Sequence, residues 1–315
     1  MSGYIVKRLL FTLLVLWAVS VVVFGAVRVI PGDVCRIIVG QPDVKPEQCQ
    51  SIKHDLGLDK PVFSQYVTYM GNLLHGDLGT AMQTKRKVWS EIKTRIPLTL
   101  ELTVLATLFA LILAIPIGVV SAIKRDTPAD YGLRLVTIGW LSLPGFWIGT
   151  MLIIWPAKWW GYSPPIGYTD IWKDAFKNLE QLYLPAIALG LALSASLARF
   201  VRSSMLEVLR QDYVRTARAK GLADRAVIVR HALRNAMIPV VTLFAIQFGI
   251  LLGGTVVLES IFSLPGLGQL TLRAVVLKDY PQVQGLVLFF ATVLVLINLL
   301  VDLSYGWFDP RIRYT

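Results

Sequence analysis

Six stretches of the sequence contain no Asp, Glu, Lys or Arg over at least 18 residues, and they constrain the fold more than any other feature. They lie at residues 9–27, 102–123, 135–157, 181–198, 235–258 and 280–301. An α-helix of about 20 apolar residues is long enough to cross the hydrocarbon layer of a bilayer, which is roughly 30 Å thick. Each stretch therefore predicts one membrane span.

The spans are expected to be α-helices. Backbone N–H and C=O groups must be paired inside a bilayer, which leaves only helices and closed barrels, and none of the six stretches alternates like a barrel strand. The composition agrees, because 55% of the 315 residues are hydrophobic and only 16% are charged. We therefore expect an all-α membrane protein with six transmembrane helices and a large extracytoplasmic region between helices 1 and 2.

Basic residues are divided unequally between the two sets of short connections. The N-terminus, the connections after the second and fourth spans, and the C-terminus hold 16 Lys and Arg residues, whereas the connections after the third and fifth spans hold 5. Because cytoplasmic loops carry the excess of Lys and Arg, both termini are predicted to be cytoplasmic. The basic cytoplasmic face suits anionic membrane lipid, and it also suits an acidic protein partner.

The sequence predicts three regions along the chain. Residues 1–30 form the cytoplasmic N-terminus and the first span, residues 31–97 an extracytoplasmic region, and residues 98–315 a core with the other five spans. The first span is longer than a typical signal-peptide apolar region and no cleavage site follows it, so we expect it to be retained. Within 31–97, Pro61 is expected to open a helix that carries Tyr66, Met70 and Leu73 on one apolar face.

Cysteines and histidines give no sign of a catalytic or metal centre. Cys35 and Cys49 both fall in the extracytoplasmic region, where an oxidising environment permits a disulfide, and two free thiols are the alternative. His54, His75 and His231 show no metal-ligand spacing with these cysteines. The chain also lacks the GxxxxGK[ST] motif of ATP-binding loops, so no cofactor is expected to bind to it.

Polar side chains are sparse within the spans and are candidates for the lining of a solute path. They are Ser194 and Ser196 in the fourth span, Gln247 in the fifth and Asn298 in the sixth. The alternative is a purely structural role, because interhelical polar contacts in membrane proteins mostly stabilise packing.

A basic stretch, DYVRTARAKGLADRAVIVRHALRNAMIP, occupies residues 212–239 between the fourth and fifth spans and holds six Arg and Lys residues. Its first half predicts a helix with Leu209, Tyr213 and Ala217 on one face, ended by Gly221 in the left-handed conformation. Its second half predicts an amphipathic helix. The apolar face of that second helix is expected to consist of Ala226, Val229, Leu233, Ala236 and Met237.

Three roles fit such a basic helix pair. It resembles a helix that lies on anionic lipid, and its charge and turn also fit a DNA-binding helix-turn-helix loosely. Neither role explains why membrane spans fix the element at both ends. A loop anchored in this way is well placed to receive force from a cytoplasmic partner and pass it to the helices that it joins.

The segments YVRTARAKGL and HALRNAMIP resemble the ATPase-docking loop of permease subunits of bacterial ABC importers, in the dipeptide, oligopeptide and nickel branch. Further stretches match the same branch: LGLDKP with GDLG, TLEL at residues 99–102, and ESIFSLPGLG with DYP and NLLVDLSYGWFDPRIR. Their order and spacing extend the resemblance over the whole chain. The resemblance implies a type I ABC importer permease-like fold in the bacterial cytoplasmic (inner) membrane.

The resemblance also implies a coupling loop at residues 206–238. In the wider family this loop carries Glu-Ala-Ala and, after three further residues, Gly; here Gly221 follows Arg215, Thr216 and Ala217, so a basic residue replaces the acidic one, as in the peptide branch. The residues implied to meet the ATPase are Arg215, Thr216, Ala217, Arg218, Gly221 and Leu222. Ala217 and Gly221 would form the close-packed turn, and Leu222 an apolar contact. The two arginines would make polar contacts.

By the same resemblance, the chain is the transmembrane permease of an ATP-driven importer that moves a di- or oligopeptide from periplasm to cytoplasm by alternating access. Nickel complexes, glutathione and amino-acid derivatives are the alternative solutes. The implied partners are a second homologous permease subunit, two cytoplasmic ATPase subunits that bind ATP and Mg, and an extracytoplasmic solute-binding protein, with no nucleic acid. ATP hydrolysis would belong to those ATPases, and this chain would not be an enzyme.

Two other functional classes remain as alternatives. A secondary transporter is expected to carry ionisable residues deep in its spans, and the six charge-free stretches argue against it. A membrane-tethered DNA-binding regulator needs a basic loop that is free of the membrane, whereas the fifth span begins directly after Arg234.

Overall fold

The computed structural model of the protein describes residues 2–29, 47, 50 and 59–308, and its regular elements there are helices apart from one isolated β-bridge between Thr80 and Lys87. The α-helices of the described residues, in chain order, are α1 (Ser2–Val29), α2 (Val62–Leu74), α3 (Val88–Ile123), α4 (Pro128–Ser142), α5 (Gly145–Trp160), α6 (Ala175–Val208), α7 (Asp212–Ala219), α8 (Asp224–Ala226), α9 (Arg234–Gly254), α10 (Val256–Ile261), α11 (Leu267–Val276) and α12 (Tyr280–Phe308). A π-helix, Val227–Leu233, joins α8 to α9. The predicted all-α fold is confirmed for the described residues.

The chain divides into two compact units, which we call the terminal unit (residues 1–96 and 266–315) and the central unit (residues 97–265). In the terminal unit, the first turns of α3 pack against α11 and α12. The buried cluster there consists of Ala81, Val88, Ile92, Leu267, Leu270, Ala274 and Leu286. A Cβ added to Gly285 would lie 2.4 Å from Cγ1 of Val88, so the close approach of α12 to α3 requires glycine at this position.

Helix α2 packs on α1 within the terminal unit. It begins directly after Pro61, as the sequence predicts, and Tyr66 and Met70 are half-buried on one face. The hydroxyl of Ser20 on α1 lies 2.9 Å from the Tyr66 hydroxyl and donates to the Met70 sulfur at 3.4 Å. The apolar stripe of α2 is therefore covered by α1.

The core of the central unit surrounds α6. Apolar side chains from α3, α5, α6, α10 and the turn after α10 form one buried cluster, consisting of Leu98, Leu102, Ala106, Ile148, Leu182, Leu184, Ala186, Ala188, Leu258, Phe262 and Leu264. Two glycines allow α3 and α6 to touch. A Cβ on Gly118 would lie 2.7 Å from the Ala198 carbonyl oxygen, and a Cβ on Gly190 would lie 2.7 Å from the Ala106 carbonyl oxygen.

Among the residues that the structure describes, five helical segments are long and apolar enough to cross a membrane by themselves: Val6–Ala26, Val88–Ile123, Ala175–Val208, Asp224–Gly253 and Tyr280–Leu300. The expected third span, residues 135–157, is not a single helix. It is broken into α4 and α5, which are bent by 95°. If this bent pair is one broken span, the described residues contain the six expected spans.

The break in the third span follows from Pro144. The ring of a proline clashes with a helical conformation of the preceding residue, and proline itself has no N–H to continue a helix. Leu143 is accordingly extended, with φ −89° and ψ 127°, and α5 starts immediately after Pro144. The expectation of a continuous helix was wrong here because it rested on apolar length alone.

A buried ion pair joins α4 to α6. Oδ1 of the fully buried Asp130 accepts from Nε of Arg202 at 3.0 Å, and Oδ2 accepts from Nη2 at 2.7 Å. The carboxylate also accepts from the Ser121 hydroxyl and from the backbone N–H of Asp126. A buried charge is tolerated only with such pairing and hydrogen bonding.

Replacing Asp130 should therefore destabilise the protein strongly. In Asp130→Ala the Arg202 guanidinium loses its counter-ion, and we expect the free energy of unfolding to fall by about 3 kcal/mol, the scale for breaking a buried pair. Denaturant unfolding of the purified protein in detergent measures the change.

Asp126→Asn is the matched control. Asp126 pairs with Arg125 at 3.0 Å, but both side chains are exposed, and asparagine tolerates the positive φ of 60° at this residue. An exposed pair contributes at most about 1 kcal/mol. Equal losses in the two variants would contradict the importance assigned to the Asp130–Arg202 pair.

Candidate functional site

The basic stretch between α6 and α9 folds into two short helical segments that pack on each other. Val214 and Ala217 of α7 and Val227 of the π-helix are buried together, with Val208 and Leu209 at the end of α6 partly covering them. The segment is thus a packed extension of α6 with its own small core. Tyr213, expected on the same face as Leu209 and Ala217, is 43% exposed instead.

The error at Tyr213 arises because the chain turns between α6 and α7. Residues 209–211 lie outside both helices, so a four-residue spacing counted through them does not describe one helix face. Val214 takes the buried position and is fully enclosed. The exposed Tyr213 hydroxyl accepts a hydrogen bond from Nδ2 of Asn235 at 3.0 Å, which ties α7 to the start of α9.

Gly221 ends α7 in the left-handed conformation, as the sequence predicts. Its φ is +78°, its N–H donates to the Arg218 carbonyl at 2.9 Å, and the N–H of Leu222 donates to the Ala217 carbonyl at 3.4 Å. These two bonds form a Schellman motif. A Cβ on Gly221 would meet nothing within 4 Å, so glycine is required here by the backbone angle and not by space.

The second half of the stretch keeps only part of the predicted helix face: Ala236 is buried, and Leu233 and Met237 are partly buried in the same cluster. The expected apolar face was Ala226, Val229, Leu233, Ala236 and Met237; the buried residues are Val227, Ala232, Ala236 and Val240, and Val229 is 55% exposed. The cause is the π-helix Val227–Leu233, in which the hydrogen bonds join residues five apart and each turn holds more residues than in an α-helix. Successive buried residues are therefore five positions apart from Val227 to Ala232, and the spacing returns to four positions from Ala232 to Ala236 and Val240.

The π-helix and the start of α9 pack directly on the end of α6. Ala232 and Ala236 share one buried cluster with Val201 and Met205 of α6 and with Ala122 at the end of α3. Because these side chains are fully or almost fully enclosed, a displacement of the basic stretch is resisted by close packing against two long helices.

The residues implied to meet an ATPase separate into a buried and an exposed group. Ala217 faces the small core, whereas Arg215, Thr216, Arg218 and Leu222 are exposed. Arg215 pairs with Asp212 and Arg218 with Asp224, each at 3.5 Å. The Thr216 hydroxyl donates to the Asp212 carbonyl at 2.9 Å. The exposed group combines two guanidinium groups with an apolar side chain, a combination that suits a protein partner.

Three of the four residues expected along a solute path, Ser194, Ser196 and Gln247, make structural contacts. Ser194 is buried and donates to the Leu191 carbonyl at 2.7 Å. Nε2 of Gln247 donates to the Ser196 hydroxyl at 3.3 Å, so this pair connects α6 to α9. Asn298 is exposed on α12 in the terminal unit. A role for these residues in translocation stays a prediction.

The sequence interpretation missed a buried carboxylate. Glu259 on α10 is fully enclosed, and its Oε1 accepts from the hydroxyls of Thr99 at 3.0 Å and Thr255 at 2.7 Å. The sequence feature that could have indicated it is the position of Glu259, which directly follows the fifth charge-free stretch and is the first residue of ESIFSLPGLG.

Cys35 and Cys49 lie outside the described residues. Within the described residues, no group of three His, Cys, Asp or Glu side chains is arranged to hold a metal.

Residues 114–314 match the family described as "Binding-protein-dependent transport system inner membrane component", and residues 1–103 match "Binding-prot-dependent transport system membrane comp, N-term". The chain belongs to this family of transport permeases. It is therefore a multi-pass inner membrane protein and a permease subunit of an ABC importer.

Its relatives share the full length of the chain. It is 41% identical over 334 residues to the di/tripeptide transport system permease protein DppB of Pseudomonas aeruginosa (strain UCBPP-PA14), which covers 100% of this chain and 99% of that protein. It is 41% identical over 337 residues, with the same coverage, to the dipeptide permease DppB of Escherichia coli K12. Identity to the glutathione transport system permease protein GsiC of E. coli K12 is 40% over 314 residues, covering 100% of each chain.

A solved structure shares the fold of this permease. A chain of the MetNI methionine ABC transporter, from crystals of its inward-facing conformations, matches with a TM-score of 0.51 and 20% identity. The match covers 71% of this chain and 95% of that chain. The type I importer permease fold implied by the sequence is confirmed at this level.

Substitution of Gly221 tests the cap of α7. Gly221→Ala forces a Cβ into the left-handed region, which costs about 1 kcal/mol, and we expect backbone amides of residues 219–223 to exchange hydrogen about fivefold faster. Hydrogen exchange followed by mass spectrometry on the peptides that cover α7 measures this change. Gly221→Asn, which tolerates positive φ, should exchange at a rate closer to that of the original protein. Identical rates in all three proteins would contradict a strained cap.

Proposed function

We propose that this permease subunit imports di- or oligopeptides from periplasm to cytoplasm by alternating access. Two relatives named for dipeptide or di/tripeptide transport, each 41% identical over the whole chain, support this solute class. The proposed orientation has both termini in the cytoplasm, supported by the excess of Arg and Lys in the connections on that side.

We further propose that residues 206–238 are the coupling loop, which transmits movement from an ATPase to the spans. The observation that carries this role is continuous packing: the core of Val214, Ala217 and Val227 adjoins the cluster in which Ala232 and Ala236 meet α6. A force applied to the exposed residues of α7 would reach α6 and α9 through these packed side chains. Packed helices of this kind shift as rigid pieces between discrete arrangements.

The proposed assembly contains a second homologous permease, two cytoplasmic ATPase subunits and an extracytoplasmic solute-binding protein. ATP and Mg would be bound by the ATPase subunits, since the sequence of this chain contains no GxxxxGK[ST] motif. This chain would contribute one half of the translocation path, for which Ser194, Ser196, Gln247 and Asn298 remain the candidate lining residues.

Glutathione is the second candidate solute. The 40% identity to the glutathione permease GsiC extends over 100% of both chains and is almost equal to the identity with the dipeptide permeases. Glutathione is itself a modified tripeptide, so the two proposals differ in the side chains and linkage that the transporter accepts.

Charge reversal at Arg218 tests the coupling role. We expect Arg218→Glu to reduce uptake at least about tenfold, because reversing a charge at a docking surface costs more than about 1.4 kcal/mol. Uptake of a radiolabelled dipeptide by whole cells measures the loss, and immunoblotting of membranes checks insertion. Arg225→Glu makes the same charge change at another exposed arginine of this stretch and should keep normal uptake.

A charge swap then separates the two roles of Arg218. The double variant Arg218→Glu/Asp224→Arg re-forms the pair of opposite charges that Arg218 and Asp224 make within the stretch. If Arg218 acts on the ATPase, uptake stays low in the double variant. Full recovery of uptake would show that Arg218 only holds the loop together, and it would contradict the docking role.

The solute class is tested with the reconstituted transporter. We expect di- and tripeptides, delivered by the cognate solute-binding protein, to stimulate ATP hydrolysis in lipid nanodiscs, and free amino acids to leave the basal rate unchanged. A larger stimulation by glutathione than by any unmodified peptide would favour the second candidate. Stimulation by nickel complexes alone would contradict both.

A further inference from the structure

The central unit contains a cavity of about 720 Å³ between α4 and α6, with α3 at its floor. Four arginines line it: Arg134 from α4, Arg199 and Arg202 from α6, and Arg210 just beyond the end of α6. The cavity borders the start of the proposed coupling loop through residues 206, 207, 210 and 211, but none of the residues proposed to meet the ATPase lines it. Four guanidinium groups around one cavity call for an anionic occupant.

The cavity carries an excess of positive charge. Its wall contains one carboxylate, Glu207, and Asp130 pairs with Arg202 from behind the wall, so four guanidinium groups face two carboxylates. Arg134, Arg199 and Arg210 form no ion pair with any described residue. Three of the four arginines therefore have no ion-pair partner among the described residues, and the arginines outnumber the two carboxylates by two.

One of these arginines is fixed in position before any ligand arrives. Asp130 holds Arg202 by Nε and Nη2, and Nη1 takes no part in that pair. The Arg202 side chain is 21% exposed. Because its rotamer is set by the buried pair, binding of an anion at Arg202 would cost little side-chain entropy.

The remaining wall combines polar residues (Ser121, Thr137, Ser203 and Gln211) with apolar ones, and its apolar side adjoins a surface suited to lipid chains. Ile117, Leu133 and Ile138 line the cavity beside the arginines. Along α4, Leu135 is 69% exposed and Ile138 is 55% exposed. In a membrane protein such an apolar surface is solvated by acyl chains, so a lipid lying along α4 has a cationic cavity within reach of its headgroup.

We propose that this cavity binds the phosphodiester headgroup of an anionic phospholipid, such as phosphatidylglycerol or cardiolipin. Guanidinium groups match phosphate oxygens in geometry and charge, and basic pockets between transmembrane helices on the cytoplasmic side are suited to anionic headgroups. Arg199, Arg202 and Arg210 lie among the basic residues that follow the fourth charge-free stretch, which the distribution of Arg and Lys predicts to be cytoplasmic. Free phosphate shares the chemistry but does not use the apolar wall.

The test compares lipid retention in matched variants of the full-length chain. The purified protein is equilibrated in detergent with equimolar phosphatidylglycerol and phosphatidylcholine, and native mass spectrometry counts the bound lipids. Phosphatidylglycerol should dominate on the original protein, and Arg134→Gln/Arg199→Gln should reduce that preference at least about tenfold, since charge-assisted bonds to phosphate are lost. Arg202 is left intact because its buried pair supports the fold.

The control Arg225→Gln/Arg230→Gln removes two exposed charges outside the cavity and should keep the original preference. Thermal unfolding checks that both double variants stay folded. An unchanged preference in Arg134→Gln/Arg199→Gln would overturn the proposal, as would an equal loss in the control, which would indicate general attraction to the basic face.

A final arm distinguishes lipid from free anion. Inorganic phosphate is added to the lipid-free protein, and its stabilisation of the original protein is compared with that by phosphatidylglycerol. We expect phosphate to stabilise the protein much less than the lipid does. Equal stabilisation by phosphate, lost in Arg134→Gln/Arg199→Gln, would identify a soluble anion as the occupant and overturn the lipid assignment.

Discussion

Helices α3 and α6 can touch only because Gly118 and Gly190 have no Cβ, and the architecture of the central unit depends on that contact. A methyl group at either position would lie 2.7 Å from a carbonyl oxygen of the facing helix. Helices in a bilayer gain little from the hydrophobic effect, so their association rests on such close packing. With α6 fixed in this way, α4, α5, the π-helix and α9 all pack against it.

The arginines of α6 and of the stretch that follows it make different kinds of contact, although they lie close together in the sequence. Arg202 is committed to a buried carboxylate that joins α4 to α6. Arg215 and Arg218 lie on the exposed side of α7, in weak surface pairs that a docking partner could displace at small cost. Arg199 and Arg210 face the cavity. The buried pair, the proposed coupling and the proposed lipid site thus draw on one charge cluster, and Arg202 belongs to both the pair and the lining of the proposed lipid site.

Rigidity is the property that links the fold to the transport role. The left-handed Gly221 and the π-helix allow a short basic stretch to turn back and bury Val214, Ala217 and Val227, so that its other face is left for a partner. The π-helix costs regular hydrogen-bond geometry, and segments of this kind are frequent at functional sites. Its position, where the stretch joins α9, is where a small rotation would be passed into a span.

The sequence by itself determined the features that are set within a few neighbouring residues: the apolar length of the spans, their helical state, the cap at Gly221 and the motifs that identify the permease family. The tertiary structure alone decided the features that join distant residues. These include the Asp130–Arg202 pair, 72 positions apart, the Thr99–Glu259 bond, 160 positions apart, and the cavity that collects arginines from α4 and α6. It also decided which residues of the π-helix are buried. The physical reason is that the local sequence pattern fixes the period and the length of a helix. Which helix it packs against, and which of its faces is buried, depend on tertiary packing. A π-helix or a break at proline then changes the direction of every side chain that follows it.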